Sequence, residues 1–249
     1  MAKIRDMEDK KVVPNNQYAM CIDLVTCDAK MKENYPKKVK VNPYNVCQMK
    51  KMVYGKGDNY SSMLADIVDS LIDVDVRQLT LIDYDKILLF LRINSCGSSI
   101  LEYNVKCDKC EKYSPFKIDL STLDIKAVPS AFSEPQEMNN ELSLILPRLG
   151  AKLEFDEMSE KLDLIDYQAL YIEQGNTFKE KLEIYNSLSP QFVTKEFHTF
   201  ISSVNSYGID TDTKHVCSVI LNHETVEKCG AEEVLHIPFR RKFFFPNYI

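Results

Sequence analysis

Four cysteines have spacings that favour metal binding, and they fall in two separate parts of the chain. Cys107 and Cys110 lie in the segment EYNVKCDKCEKYSPFKIDL (102–120), where one alternating run enters the pair and a second one leaves it. Two thiolates at the tip of a hairpin form half of a zinc knuckle. Because closed structural zinc sites hold four ligands, the sequence should contain a second pair.

The candidates for the second pair lie in TKHVCSVILNHETVEKCGAEEVLHIPF (213–239). Cys217 and Cys229 are separated by SVILNHETVEK. The two cysteines can still lie side by side on a hairpin if this segment forms a lobe between them. We therefore expect one structural Zn²⁺ held by Cys107, Cys110, Cys217 and Cys229, with His223 as the alternative fourth ligand. The competing interpretation is a cluster of reduced, partly buried thiols without metal. Four thiolates leave no open coordination position, so the site would be structural.

The remaining cysteines, at positions 21, 27, 47 and 96, have apolar neighbours and no partner spacing, which favours small core residues over ligands.

The sequence also lacks the common catalytic patterns. The segment His223-Glu-Thr-Val-Glu ends in Glu where a metalloprotease helix needs His, and Gly55-Lys56-Gly57 is too short for a phosphate-binding loop. His198 lies in a predicted helix, and we interpret it as a surface or boundary histidine. These observations predict a protein that is not an enzyme.

Composition is that of an ordinary soluble globular protein, with 249 residues, 45% hydrophobic and 27% charged residues. No apolar run reaches the roughly 18 residues that cross a bilayer, and the charged start MAKIRDMEDKK lacks a signal peptide's apolar stretch, which predicts a cytosolic protein without a membrane partner. The net charge is −6, but residues 1–60 carry +5 and residues 61–249 therefore −11. The scattered lysines disfavour a nucleic-acid groove and favour a solvated basic face or one that contacts an acidic partner.

The first half of the chain contains helix and hairpin patterns. Apolar spacing predicts helices over 45–54, 60–74 and from about 81, the last with Asp83 as its N-cap and Gly97 at its end. The hairpin at 100–120 follows. Farther along, 142–147 and 150–155 are predicted to pair as strands, and helices are predicted near 157–174, 176–188 and 191–205.

From Tyr207 the pattern returns to extended structure. The predicted fold class is α+β, with antiparallel strands, a zinc-ribbon-like pair of hairpins and two groups of helices. We expect an α+β part with the first cysteine pair (1–156), a helical segment (157–206) and C-terminal strands that complete the knuckle and end in an aromatic tail (207–249).

The tail is unusually apolar. Phe243, Phe244, Phe245, Tyr248 and Ile249 are five large apolar residues within the last seven positions. Either the tail docks on its own domain, or Phe243, Phe244, Phe245 and Tyr248 bind a partner.

Four segments have distinctive patterns: LTLIDYDKILLFLRINSCGSS (79–99), VKCDKCEKYSPFKIDLSTL, LILPRLG (144–150) and YGIDTDTKHVC…KCG…IPFRRKFFFP. They resemble T4-like phage baseplate hub proteins. In order and spacing they cover most of the chain from about 12 to 246. Two features depart from the family pattern: the second knuckle is opened to Cys-x11-Cys, and Cys96 stands where the family often has an aromatic residue.

The resemblance implies a viral protein of the infected bacterial cytoplasm that promotes assembly of the central hub of a contractile-tail baseplate and binds other hub proteins. An assembly factor of this kind can be absent from the mature virion. A structural hub subunit that stays in the baseplate is the alternative, and a zinc-ribbon nucleic-acid-binding protein is a third class. The sequence leaves the specific hub partner and homo-oligomerisation open.

Overall fold

The protein is a mixture of helices and short antiparallel hairpins, as expected for the α+β class. The computed structural model describes residues 20–26, 35–54, 60–139, 142–158, 161–222, 226–237, 239 and 241–244. The helices are α1 (Val46–Tyr54), α2 (Tyr60–Asp69), α3 (Leu81–Ser95), α4 (Leu149–Met158), α5 (Phe178–Ser187), α6 (Pro190–Phe192), α7 (His198–Val204) and α8 (Arg241–Phe244). Within these residues, no helix is long and apolar enough to cross a membrane.

The strands pair two at a time and always antiparallel. They are β1 (Met20–Asp23), β2 (Lys38–Val41), β3 (Ile100–Lys106), β4 (Tyr113–Asp119), β5 (Ile125–Lys126), β6 (Gln136–Asn139), β7 (Leu142–Leu144), β8 (Gly208–Ile209), β9 (Asp212–Val216), β10 (Ile220–Asn222), β11 (Glu227–Lys228) and β12 (Glu232–His236). The pairs are β1–β2, β3–β4, β5–β8, β6–β7, β9–β12 and β10–β11. The hairpin expected at 100–120 is therefore confirmed as β3–β4.

Helix α3 has the predicted extent, but its N-cap is Thr80 and not Asp83. Thr80 has extended backbone angles, and its side chain accepts a hydrogen bond from the backbone N–H of Asp83. Thr80 thus satisfies one of the free N–H groups of the first turn. Asp83 lies at the third helical position, where its carboxylate has a different task.

The Asp83 carboxylate joins the β1–β2 region to the start of α3. Its side chain is fully buried and accepts hydrogen bonds from the Val25 backbone N–H (2.6 Å), the Tyr35 hydroxyl (2.6 Å) and the Thr80 hydroxyl (2.9 Å). The backbone N–H and hydroxyl of Thr26 also donate to it. Burial and the negative charge of Asp83 raise the pKa of Tyr35, which keeps that hydroxyl a donor. A buried charge with this many donors is stable, whereas its removal leaves them unpaired.

Two predictions from the middle of the chain are wrong. Residues 150–155 form part of helix α4 and not a strand, because Leu149 and Leu153 are buried at helical spacing. The strand β7 pairs with β6 instead. Gly150 allows a close approach here, since a Cβ would lie 3.2 Å from the carbonyl oxygen of Arg77.

The helix predicted at 157–174 is also incorrect, because α4 ends at Met158 and Leu164–Tyr171 is 3-10 helical. The later predictions are confirmed: α5 occupies Phe178–Ser187, and α6, a π-helical turn (Val193–Phe197) and α7 follow one another from Pro190 to Val204. The first predicted helix is α1, and the second, predicted over 60–74, ends at Asp69, after which Ile72 bridges to Val41.

Buried apolar residues form two large clusters. The first contains residues of β1, β2, α1–α3, β3 and the C-terminal α8. The second contains residues of β7 and of the segments between 155 and 204. Helix α4 contributes Leu149 and Leu153 to the first cluster and Phe155 to the second. The division at 156 and 206 stays a prediction.

The described part of the aromatic tail is buried in the chain's own core. Phe243 and Phe244 are each 2% exposed. Arg92, itself buried, donates from Nε to the carbonyl oxygen of Phe243 (2.9 Å) and from its other nitrogens to those of Ser98 and Ile100. These two phenylalanines therefore dock on their own chain, which corrects their assignment to partner binding. Phe245 and Tyr248 lie outside the described residues.

We predict that Asp83→Asn lowers the free energy of unfolding by about 2–4 kcal/mol, because an amide replaces a buried acceptor that faces several donors. Urea denaturation measures this change. The control is Asp23→Asn, since Asp23 is 64% exposed and, among the described residues, forms a surface ion pair with Lys38. We expect a change within about 0.5 kcal/mol there. Equal stability of the two variants would contradict the role given to Asp83.

Candidate metal centre

The first cysteine pair lies on a tight turn between β3 and β4. The Cys107 N–H donates to the Lys112 carbonyl oxygen (3.0 Å), and the Glu111 N–H donates to the Cys107 carbonyl oxygen (2.8 Å). Glu111 closes the turn with a positive φ of 56°. Cys107 is fully buried and Cys110 partly buried, so both side chains are turned toward the protein.

The second pair lies at the base of the predicted lobe. Three backbone hydrogen bonds to carbonyl oxygens hold it. The Cys217 N–H donates to the carbonyl oxygen of Ala231 (2.9 Å), the Gly230 N–H to that of Cys217 (3.1 Å) and the Cys229 N–H to that of Val219 (2.8 Å). Between the two cysteines, β10 pairs with β11 and forms the lobe as a small hairpin. Gly230 has a φ of 61°, a conformation that favours glycine. The long insertion thus leaves both thiols at one end of β9 and β12.

All four sulfur atoms lie within 4.8 Å of one another. The Cys107 and Cys229 Sγ atoms are 3.8 Å apart, as are those of Cys110 and Cys217. A tetrahedral zinc with Zn–S bonds of about 2.3 Å places its sulfur ligands about 3.8 Å apart. Disulfide sulfurs lie at about 2.05 Å, so these pairs are not disulfides. The donor set and the spacing both fit one Zn²⁺.

Contacts beside the sulfurs also join the two hairpins. The Ser218 N–H donates to the Ser114 hydroxyl oxygen (3.1 Å), and the Asp108 N–H donates to Glu233 (3.0 Å). The rings of Phe116 and His215 meet edge to face, with centroids 5.7 Å apart. Sequence reasoning missed these contacts, because nothing in the spacing of a serine or glutamate marks its long-range partner.

The surroundings of the Cys107 thiol raise its pKa. The N–H of Cys110 lowers its pKa, but burial, Glu233 and Cys217 together raise it to about 12. Because the thiolate is the metal ligand, a bound cation must displace the thiol proton. Zinc would neutralise the clustered thiolates and so stabilise the arrangement.

Among the described residues, Cys21, Cys47 and Cys96 do not join the cluster. Cys21 and Cys47 are exposed, and Cys96 contacts the Tyr44 hydroxyl and the carbonyl oxygen of Phe244. Cys27 and His223 lie outside the described residues. Within the described ranges, the four cysteines are the one group of three or more His, Cys, Asp or Glu side chains placed to share a metal ion.

The structure is therefore that of an α+β protein with four cysteines placed so that they could share one metal ion. Comparison with protein families matches residues 24–244 to the family described as T4 bacteriophage base plate protein. The chain therefore belongs to that family, which confirms the resemblance inferred from the sequence. No curated protein and no solved structure gave a match.

Membership in this family gives the protein a role in the phage baseplate and places it in the infected host cell or in the virion. It also implies contact with other baseplate proteins.

We predict that Cys107→Ser abolishes zinc retention and lowers the free energy of unfolding by roughly 3 kcal/mol. For a chain of this size, each kcal/mol lowers the melting temperature by about 2–4 °C, so the expected decrease is about 6–12 °C. Metal analysis and thermal unfolding measure both effects. A strong chelator should bring the wild-type protein to the variant's melting temperature and leave the variant unchanged.

The matched control is Cys47→Ser, which changes an exposed thiol away from the cluster. It should keep one zinc per chain and the wild-type melting temperature. If the purified wild-type protein holds no zinc and Cys107→Ser has the wild-type melting temperature, the site is a thiol cluster without metal.

Proposed function

We propose that this chain is a non-enzymatic assembly factor that promotes formation of the central hub of the baseplate by binding other hub proteins. The observation that carries the proposal is the closed four-cysteine cluster in a chain of the baseplate family. Four thiolates fill the coordination sphere of a single structural Zn²⁺, so the metal would join two hairpins without activating water or substrate.

The described histidines have surroundings that support a non-enzymatic role. His198 is exposed and lies 3.1 Å from Gln168, and His236 is paired with Asp212 at the surface. His215 is buried against Phe116. None of these contacts brings a histidine to a cysteine or serine nucleophile.

Exposed apolar side chains next to the cysteines support binding to other proteins. Tyr113 follows the first pair on β4 and is 69% exposed, and Val216 precedes Cys217 and is 55% exposed. Val234 of β12 is 67% exposed and lies on the same face as Val216, since Val216 pairs with Glu232 and Val234 with Lys214. Hairpins held by a metal would present these side chains in a fixed arrangement.

The assembly role and a structural role differ in the fate of the protein. An assembly factor acts in the host cytoplasm and leaves before the particle is complete, whereas a hub subunit stays in the virion. The net charge of −6 argues against the third class, a nucleic-acid-binding protein. Homo-oligomerisation is compatible with either of the first two roles.

We predict that quantitative mass spectrometry finds this chain in hub intermediates from infected cells and far below stoichiometric amounts in mature baseplates. The other hub proteins in the same samples provide the internal standard. Stoichiometric recovery from mature baseplates would contradict the assembly-factor proposal and support the structural subunit.

We further propose that the end of the chain, with Phe245 and Tyr248, contributes to partner binding, whereas Phe243 and Phe244 anchor it. Removal of residues 245–249 should weaken recovery of hub proteins in a pull-down and leave the melting temperature within about 2 °C of wild type, because the buried pair remains. Removal of residues 243–249 should destabilise the fold, since loss of one buried Phe costs about 3–5 kcal/mol. Unchanged binding after the shorter deletion would refute the contact.

A further inference from the structure

Helix α1 presents a face that is exposed in the described part of the chain. At about 100° per residue, the exposed positions fall on one side of the helix; they are Val46, Cys47, Lys50, Lys51 and Tyr54, and we call them the α1 face. Tyr54 is 71% exposed and Val46 64% exposed, among the highest values for large apolar side chains in the described residues.

The opposite side of α1 holds the helix firmly. Met52 is buried, and Met49 and Val53 pack against the first core cluster. At the start of the helix, the Asn45 N–H donates to the Gln48 side chain (2.8 Å) and the Gln48 N–H donates to the Asn45 side chain (3.0 Å). The α1 face is therefore presented on a helix that packs against the core.

The charged side chains of the α1 face have a single sign. Helix α1 contains Lys50 and Lys51 and no aspartate or glutamate. In the described part of the chain, neither Lys50 nor Lys51 forms an ion pair. This cationic surface belongs to a chain with a net charge of −6, so it differs from the protein's average surface.

We propose that the α1 face is a docking surface for an acidic, partly apolar surface of another baseplate protein. Lys50 and Lys51 would meet carboxylates, while Val46 and Tyr54 would be buried between them. Exposed tyrosines at such centres commonly carry much of the binding free energy. The proposal deepens the proposed function, on which it rests, by naming the chemistry of the partner.

The chemistry of the face favours a protein over a nucleic acid. Residues 35–54 contain no arginine, the side chain best suited to bidentate phosphate contacts. Exposed Val46 gains nothing from a phosphate backbone but can be buried by an apolar side chain. The overall negative charge also repels nucleic acid.

The test compares pull-downs of co-expressed hub proteins by the full-length wild-type chain and by variants of the α1 face. Lys50→Glu combined with Lys51→Glu should reduce recovery at least about tenfold, because it opposes like charges across the interface. Tyr54→Ala should also reduce it about tenfold through loss of a buried contact. Wild-type binding should weaken as sodium chloride rises from 50 to 500 mM.

The matched control is Lys179→Glu combined with Lys195→Glu, which makes the same change in net charge at exposed positions of α5 and the π-helical turn. It should bind as wild type does, and all variants should keep the wild-type melting temperature. If the α1 variants bind as well as wild type, or if the control loses as much, the docking surface is wrong while the proposed function stands.

If wild type recovers no hub protein, both the docking surface and the proposed function are overturned. A gel shift of duplex DNA that Lys50→Glu combined with Lys51→Glu abolishes would assign the face to nucleic acid and overturn the docking proposal.

Discussion

The arrangement of four cysteine sulfurs within 4.8 Å is the constraint on which much of the remaining architecture depends. The joined thiols are 107 and 122 positions apart in sequence. Bringing such distant segments together costs loop-closure entropy. A bound Zn²⁺ would supply the missing free energy, because metal binding to such a site is folding free energy.

The position of β12 has consequences beyond the metal centre. Ile237 follows β12 directly and is 1% exposed in the first core cluster, which also receives Phe243 and Phe244 of α8. Arg92 holds α8 through the Phe243 carbonyl oxygen. The cysteine cluster at one end of β12 and the core at the other therefore determine the path of the C-terminal strand and helix together. Loss of the cluster should therefore also loosen the packing of Phe243 and Phe244.

Local patterns in the sequence predicted the parts of this fold that depend on local interactions. The hairpin around Cys107 and Cys110 and helix α3 were found because alternation and helical spacing extend over many residues. The short run at 150–155 is ambiguous, because a few apolar residues satisfy both alternation and helical spacing. The residue type of Asp83 suits a cap, whereas in the structure its buried carboxylate accepts hydrogen bonds from Val25, Thr26 and Tyr35.

The candidate site was predictable to the same degree. The pairing of Cys107 and Cys110 with Cys217 and Cys229 followed from ligand type and number, but Ser114, Ser218 and Glu233 carry no sequence signal.

X-ray absorption spectroscopy of the purified protein tests the central claim most directly. We expect one zinc per chain with four sulfur ligands at about 2.3 Å. A protein without zinc, or a zinc with nitrogen or oxygen ligands in its first shell, would contradict the four-cysteine centre.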